Sequence, residues 1–212
     1  AHWSTCWFQR AALDVYLELL DEEIPREALG SEAAIASFSA VEQKMWSFLQ
    51  LAKGALDAVA REINLVYWYV DARHRLFDPT GRTRWVTFYT VRERLLGLEE
   101  FREDPLVRVL EARTRAETAD PIYRELSHLA AASLTAPRLI GHVERSDPKR
   151  GEMSLRVGEA RIFIPDDPRQ WPPTYERGFE MNALFPAILR WLEQFTDDVY
   201  EKLNLRLKGE RR

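Results

Sequence analysis

A chain of 212 residues with 46% hydrophobic and 11% aromatic side chains is long enough for one large domain and too apolar for wholesale disorder. Its 30 basic and 34 acidic residues leave a formal net charge of −4, which excludes a protein that coats nucleic acid through bulk electrostatics but leaves room for a local basic groove. The single cysteine, Cys6, excludes an internal disulfide framework and a cysteine-based zinc site, and with no run of membrane-span length the expectation is a soluble, cytoplasmic protein without membrane contact.

In chain order, Ser4 or Thr5 can cap a first helix of about 16 residues with Trp7, Ala11, Val15 and Leu19 on one face. Ile24-Pro25 through Gly30 reads as a connection. Val41 to Val70 then carries apolar residues at Val41, Met45, Phe48, Ala52, Ala55, Val59, Ile63, Val66 and Val70, alternating steps of three and four that define one face of a long helix. At about 1.5 Å per residue this helix spans roughly 45 Å, so the others must pack along it. The same periodicity allows it to run from Glu32 to Leu76. Gly54 and the alanines between Ala52 and Ala60 predict a close approach by a neighbouring backbone.

Asp78-Pro79-Thr80-Gly81 is a turn signal. Thr83 to Leu96 is expected to be helical, with Trp85, Phe88, Val91, Arg92 and Leu95 on one side and Gly97 ending it. Asp104-Pro105 and Asp120-Pro121 each cap and open a helix. The first places Leu106, Val109, Leu110 and Arg113 together, the second Ile122, Leu126, Leu129 and Ser133. Met153, Leu155 and Val157, a turn at Gly158-Glu159, and Ala160, Ile162 and Ile164 predict a β-hairpin over about residues 150–165. Pro165 through Pro173 is an exposed connector. Thr174 can cap a last segment whose stripe runs from Phe179 to Leu203, where Pro186 predicts a kink, or two helices with Asn182 capping the second. Lys208 to Arg212 reads as a disordered tail. The sum is a single all-α domain over residues 1–212, an up-and-down helical bundle of about five or six helices with one small β-hairpin insertion.

The chain has no glycine-rich phosphate loop, GxSxG elbow, HExxH motif or EF-hand loop. The histidines His2, His74, His128 and His142 are scattered, so neither a metal site nor a cofactor is expected. Asp57, beside the apolar stripe of the long helix, needs a partner if buried, and an arginine from another helix could supply it. Two pairs carry possible chemistry: Arg124 with His128, and Arg138 with His142, each spaced i, i+4 and sharing a face if helical. A histidine can act as acid or base near neutral pH while an arginine stabilises charge on phosphate, a combination suited to phosphodiester cleavage. The blander alternatives are structural pairing of the arginines with Glu125, Asp120 or Asp57, a hydrogen-bonded His128, and His142 at the hairpin entrance.

The stretch SFLQLAKGALDAVAREINLVY, the later DPIYRELSHL, the RLIGH that follows, and the closing helix after FIPDDP and PPTY resemble the HEPN superfamily, in particular its larger uncharacterised bacterial groups. The resemblance implies a helical bundle, commonly a homodimer, belonging to a bacterial defence, toxin–antitoxin or nucleic-acid-associated system. In active members it implies metal-independent endoribonuclease activity across the dimer interface. By that resemblance Arg138 would bind the scissile phosphate of RNA and His142 would be the acid/base, with Arg124 and His128 as binding residues. Arg138-Leu-Ile-Gly-His142 holds three intervening residues, fewer than the motif of active members. The alternative is a non-catalytic helical module that binds a protein partner through aromatic surfaces around Trp68, Trp85 or Trp171, or a bundle with a small-molecule pocket at the aromatic end of the long helix.

Overall fold

The computed structural model describes residues 3–25, 39–70, 73, 76–79, 86–115, 119–132, 142–144, 154–170 and 172–209. Helix dominates: α1 (Trp3–Leu20), α2 (Ser39–Val70), α3 (Phe88–Leu96), a 3-10 turn at Glu99–Phe101, α4 (Pro105–Thr114), α5 (Pro121–Ala132) and α6 (Met181–Gly209). Among the described residues four short strands accompany them, β1 (Glu23–Pro25), β2 (His142–Glu144), β3 (Ser154–Arg156) and β4 (Arg161–Phe163). The protein is an all-α bundle with a small antiparallel insertion, the expected class. The chain divides into two compact units, one of residues 1–9, 53–124 and 190–212, the other of residues 10–52 and 125–189.

The first unit is built on the second half of α2. Ala55, Val59, Ile63 and Tyr67 are buried, but Val66 and Val70 of the expected stripe are half-buried, and Asn64 is buried in their place. Asn64 explains where the helix stops. Its carboxamide accepts from Phe77 N at 3.0 Å and donates to Phe77 O at 2.8 Å, holding the chain beyond the helix against it, so the helix does not run on to Leu76. Residues 26–38, which include the expected early extension, lie outside the described ones.

Asp57 finds partners other than the arginine expected for it. Lys53, one turn earlier on the same helix, reaches it at 2.6 Å, and it accepts the Phe88 N–H at 2.8 Å. A carboxylate and the Thr87 capping box, with Thr90 as its other half, therefore meet at the start of α3, where unpaired N–H groups and the helix dipole favour negative charge. Phe88, Val91, Arg92 and Leu95 are buried and Gly97 is the C-cap, as the spacing predicts. Asp104 caps α4 with Pro105 at its start, also as predicted, but the buried face is Leu106, Val107, Leu110 and Thr114 rather than one through Val109 and Arg113. Around Phe195 an aromatic core assembles: Phe88 edge-on at 5.6 Å and Trp191 stacked at 4.9 Å, with Tyr123 against Trp191 at 5.5 Å.

In the second unit Phe48 of α2 stacks on Phe185 of α6 at 4.1 Å, with Tyr16 of α1 tilted against both. The buried positions of α1 are Thr5, Ala12, Tyr16 and Leu19; Ala11 and Val15 are half-buried and Trp7 is 60% exposed, so the helix is rotated by about one residue from the predicted face. The two strands predicted as one hairpin both form but pair elsewhere. β3 lies antiparallel to β1, Ile24 opposite Leu155, and β4 lies antiparallel to β2, Val143 opposite Ile162. The cause is the link between them, a 3-10 turn at Val157–Glu159 instead of a tight hairpin turn. Val157 N donates to Glu22 O at 2.8 Å, carrying the chain along β1, and Asn182 Nδ2 donates to Ala160 O at 3.0 Å. Asn182 is thus tied to the link and caps no second helix. Thr174 does not cap α6 either: its hydroxyl donates to Asp166 at 2.9 Å. The last helix is continuous through Pro186, which lies in its second turn and removes only the N–H that would have met Asn182 O.

Candidate functional site

Of the four residues singled out for phosphate chemistry, the structure describes the side chains of Arg124 and His128. Arg138 lies outside the described residues. His142 is the first residue of β2, opposite Phe163 of β4, so the backbone at His142 is extended rather than helical. Arg124 and His128 both lie on α5, which Asp120 caps by accepting the Ile122 N–H at 3.0 Å. Arg124 is exposed. His128 is half-buried, with its Nε2 atom enclosed, without a hydrogen-bond partner, and 4.0 Å from Asp167 Oδ1.

The surroundings of His128 are set by the connector that leads into α6. Asp166 organises it, accepting from Thr174 Oγ1 and from the backbone N–H groups of Glu176 and Arg177 at 2.7–2.9 Å. Burial acts to raise the Asp166 carboxyl, but these hydrogen bonds and the Arg177 side chain outweigh it and hold the group below the usual carboxylate range. Gly178, at φ +62°, takes the left-handed turn that brings Phe179 O back to accept the Ile164 N–H at 2.8 Å. Arg177 then reaches α5, its NH1 donating to both oxygens of Glu125 at 2.8 and 3.0 Å. Asp167 is fixed separately by Arg169, whose N and Nε donate at 3.0 and 3.1 Å. The Arg169 backbone N–H first and its guanidinium next lower the Asp167 carboxyl.

Other arginines are equally committed to structure. Arg92, 9% exposed, donates through NH1 to Thr114 O and Tyr123 OH, both at 2.8 Å, and grips Glu93 with Nε and NH2. Arg206 binds Asp104 at 2.9 Å and lies over the rings of Tyr67 and Phe101. Among the described residues no group of three or more His, Cys, Asp and Glu could hold a metal ion, and no helix is long and apolar enough to cross a membrane.

What the sequence did not single out is the outward side of α2 near its end. Leu65 and Tyr69, one turn apart, are 43% and 71% exposed, while Tyr67 between them is fully buried. Of the large apolar side chains exposed among the described residues, Trp7, Leu65, Tyr69, Tyr89, Leu205 and Leu207 belong to the first unit and Leu17 alone to the second. The signal available in the sequence was the bulky Tyr67-Trp68-Tyr69 end; which of the three faces solvent is set by packing. Trp68 is half-buried, and Trp85 and Trp171 lie outside the described residues. No protein-family model, curated protein or solved structure significantly matches this chain.

Proposed function

We propose that this chain is a helical protein-interaction module whose contact face includes Leu65 and Tyr69, and that its first partner is a second copy of itself. The observation that carries this reading is the pairing of a large aliphatic and a large aromatic side chain at i, i+4 on one exposed helix face. Single exposed apolar residues are ordinary, but adjacent ones rich in aromatic surface are typical of interface cores. A helix face is complementary to itself across a two-fold axis, which makes self-association the simplest occupant. Sedimentation velocity over a concentration series tests it: the wild type is expected to dimerise, and Leu65→Ser with Tyr69→Ser to weaken the dimer by about tenfold or more while circular dichroism stays unchanged. A wild type that stays monomeric throughout sinks self-association.

The second reading is the HEPN-like, metal-independent ribonuclease, favoured by the all-α bundle that the resemblance implies. The same preparations incubated with RNA and chelator separate the two. Intact RNA fits the interaction module; cleavage that His142→Ala abolishes in a folded protein replaces it with the nuclease.

A further inference from the structure

We propose that His128 is a pH-operated latch that fastens the connector of residues 165–180 onto α5 through the Asp167 carboxylate. This inference does not depend on what face the molecule presents to a partner. The connector already has one fixed tie to α5, the two-oxygen grip of Arg177 on Glu125. His128 follows Glu125 by three residues and so lies on the same side of the helix. Its enclosed Nε2 has no hydrogen-bond partner, and Asp167 Oδ1 stands 4.0 Å away. A charge-assisted N–H···O bond closes at about 2.7–2.9 Å, so the contact stands open by about 1 Å.

A neutral imidazole has little reason to close it. A protonated one carries an N–H and a positive charge on the side facing the carboxylate, and an enclosed nitrogen gains most from such a bond because no water replaces it. Asp167 Oδ1, the oxygen that faces His128, is held in place by the Arg169 backbone and side chain, both of which donate to it.

Other described charges lie around the pair, and one of them, the Arg169 guanidinium, already shares Asp167 Oδ1 at 3.1 Å. On α5 these are Arg124 and Glu125, and Glu125 is occupied by Arg177. On the connector they are Asp166, Arg169 and Arg177, and Asp166 is engaged by Thr174, Glu176 and Arg177. From α2, Gln50 brings an uncharged amide to Ala130 O at 3.2 Å. The sign follows: the latch is closed when the imidazole carries its second proton and opens when that proton leaves.

The test is NMR titration of the full chain from pH 5 to 8.5, following the His128 ring and the backbone amides of Asp167, Arg169 and Gln170. In the wild type, ring and amides are expected to share one midpoint. In Asp167→Asn, which keeps an acceptor for the Arg169 N–H but loses the charge, the His128 midpoint moves to lower pH. In His128→Gln the connector amides lose that midpoint altogether. An Asp167→Asn protein whose His128 midpoint is unmoved, or connector amides that titrate in His128→Gln as in the wild type, overturns the latch.

Discussion

Asn64 and Arg92 show how single polar side chains are buried in this protein without loss. Each is placed by helix periodicity on an inward face; Asn64 pairs with both backbone groups of Phe77, and Arg92 donates to Thr114 O, Tyr123 OH and the Glu93 carboxylate. The Asn64 carboxamide satisfies both backbone groups of Phe77 at once. Asn64→Ala leaves that N–H and C=O without partners, and the expected loss is about 2–3 kcal/mol, measured as a lower urea midpoint at unchanged slope. An unchanged midpoint would show that water replaces the side chain freely. The inward position of Arg92 was legible from its spacing with Phe88, Val91 and Leu95. Its acceptors were not, because Thr114 and Tyr123 lie 22 and 31 residues away and nothing local encodes that meeting. His128 is the opposite case, an enclosed nitrogen whose potential partner stands just out of reach.

Among the elements, α2 carries the most specific packing signal at Gly54. A Cβ added there would lie 2.6 Å from two ring atoms of Phe8, so the close approach read from the small residues is real but is made by an aromatic ring rather than a backbone. Alanine is favoured over glycine by about 1 kcal/mol inside a helix, and the clash opposes that gain. Gly54→Ala is expected to destabilise the wild type and to stabilise a Phe8→Ala background, a reversal read from thermal or urea unfolding of the four proteins in the cycle. The same sign in both backgrounds would mean that the ring moves aside at no cost. The helix starts at Asp104-Pro105 and Asp120-Pro121 were legible because capping is a property of a few consecutive residues. The rotation of α1 was not, since Trp7-Ala11-Val15 and Phe8-Ala12-Tyr16 both satisfy the helical repeat.

At the scale of the whole molecule, buried tyrosines are expected to lower stability at alkaline pH. Burial first, and the neighbouring Asp104 carboxylate second, push the Tyr67 hydroxyl far above the usual phenol range, and burial likewise raises Tyr200. Above about pH 10 an unfolded tyrosine releases its proton while the folded one retains it, so stability falls as pH rises, by up to about 1.4 kcal/mol per pH unit for each such group. Tyr67→Phe removes the titrating hydroxyl and is expected to flatten the decline between pH 10 and 11 in urea midpoints. A decline as steep as that of the wild type would remove Tyr67 from the account. The proposed self-association belongs to this scale too. The sequence marked the aromatic end of α2, but only the burial of Tyr67 turned Leu65 and Tyr69 outward together.

By itself the sequence determined the all-α class, the long α2, the capped starts of α4 and α5 and the Gly97 end of α3, because periodicity, capping and chain punctuation act over one or two turns. Tertiary structure alone decided that β3 pairs with β1 and β4 with β2, that Asp57 serves the start of α3, and that the connector is held by Asp166 and Arg177. Each of those choices joins groups far apart along the chain, where short-range preference is satisfied equally by several partners and burial selects one.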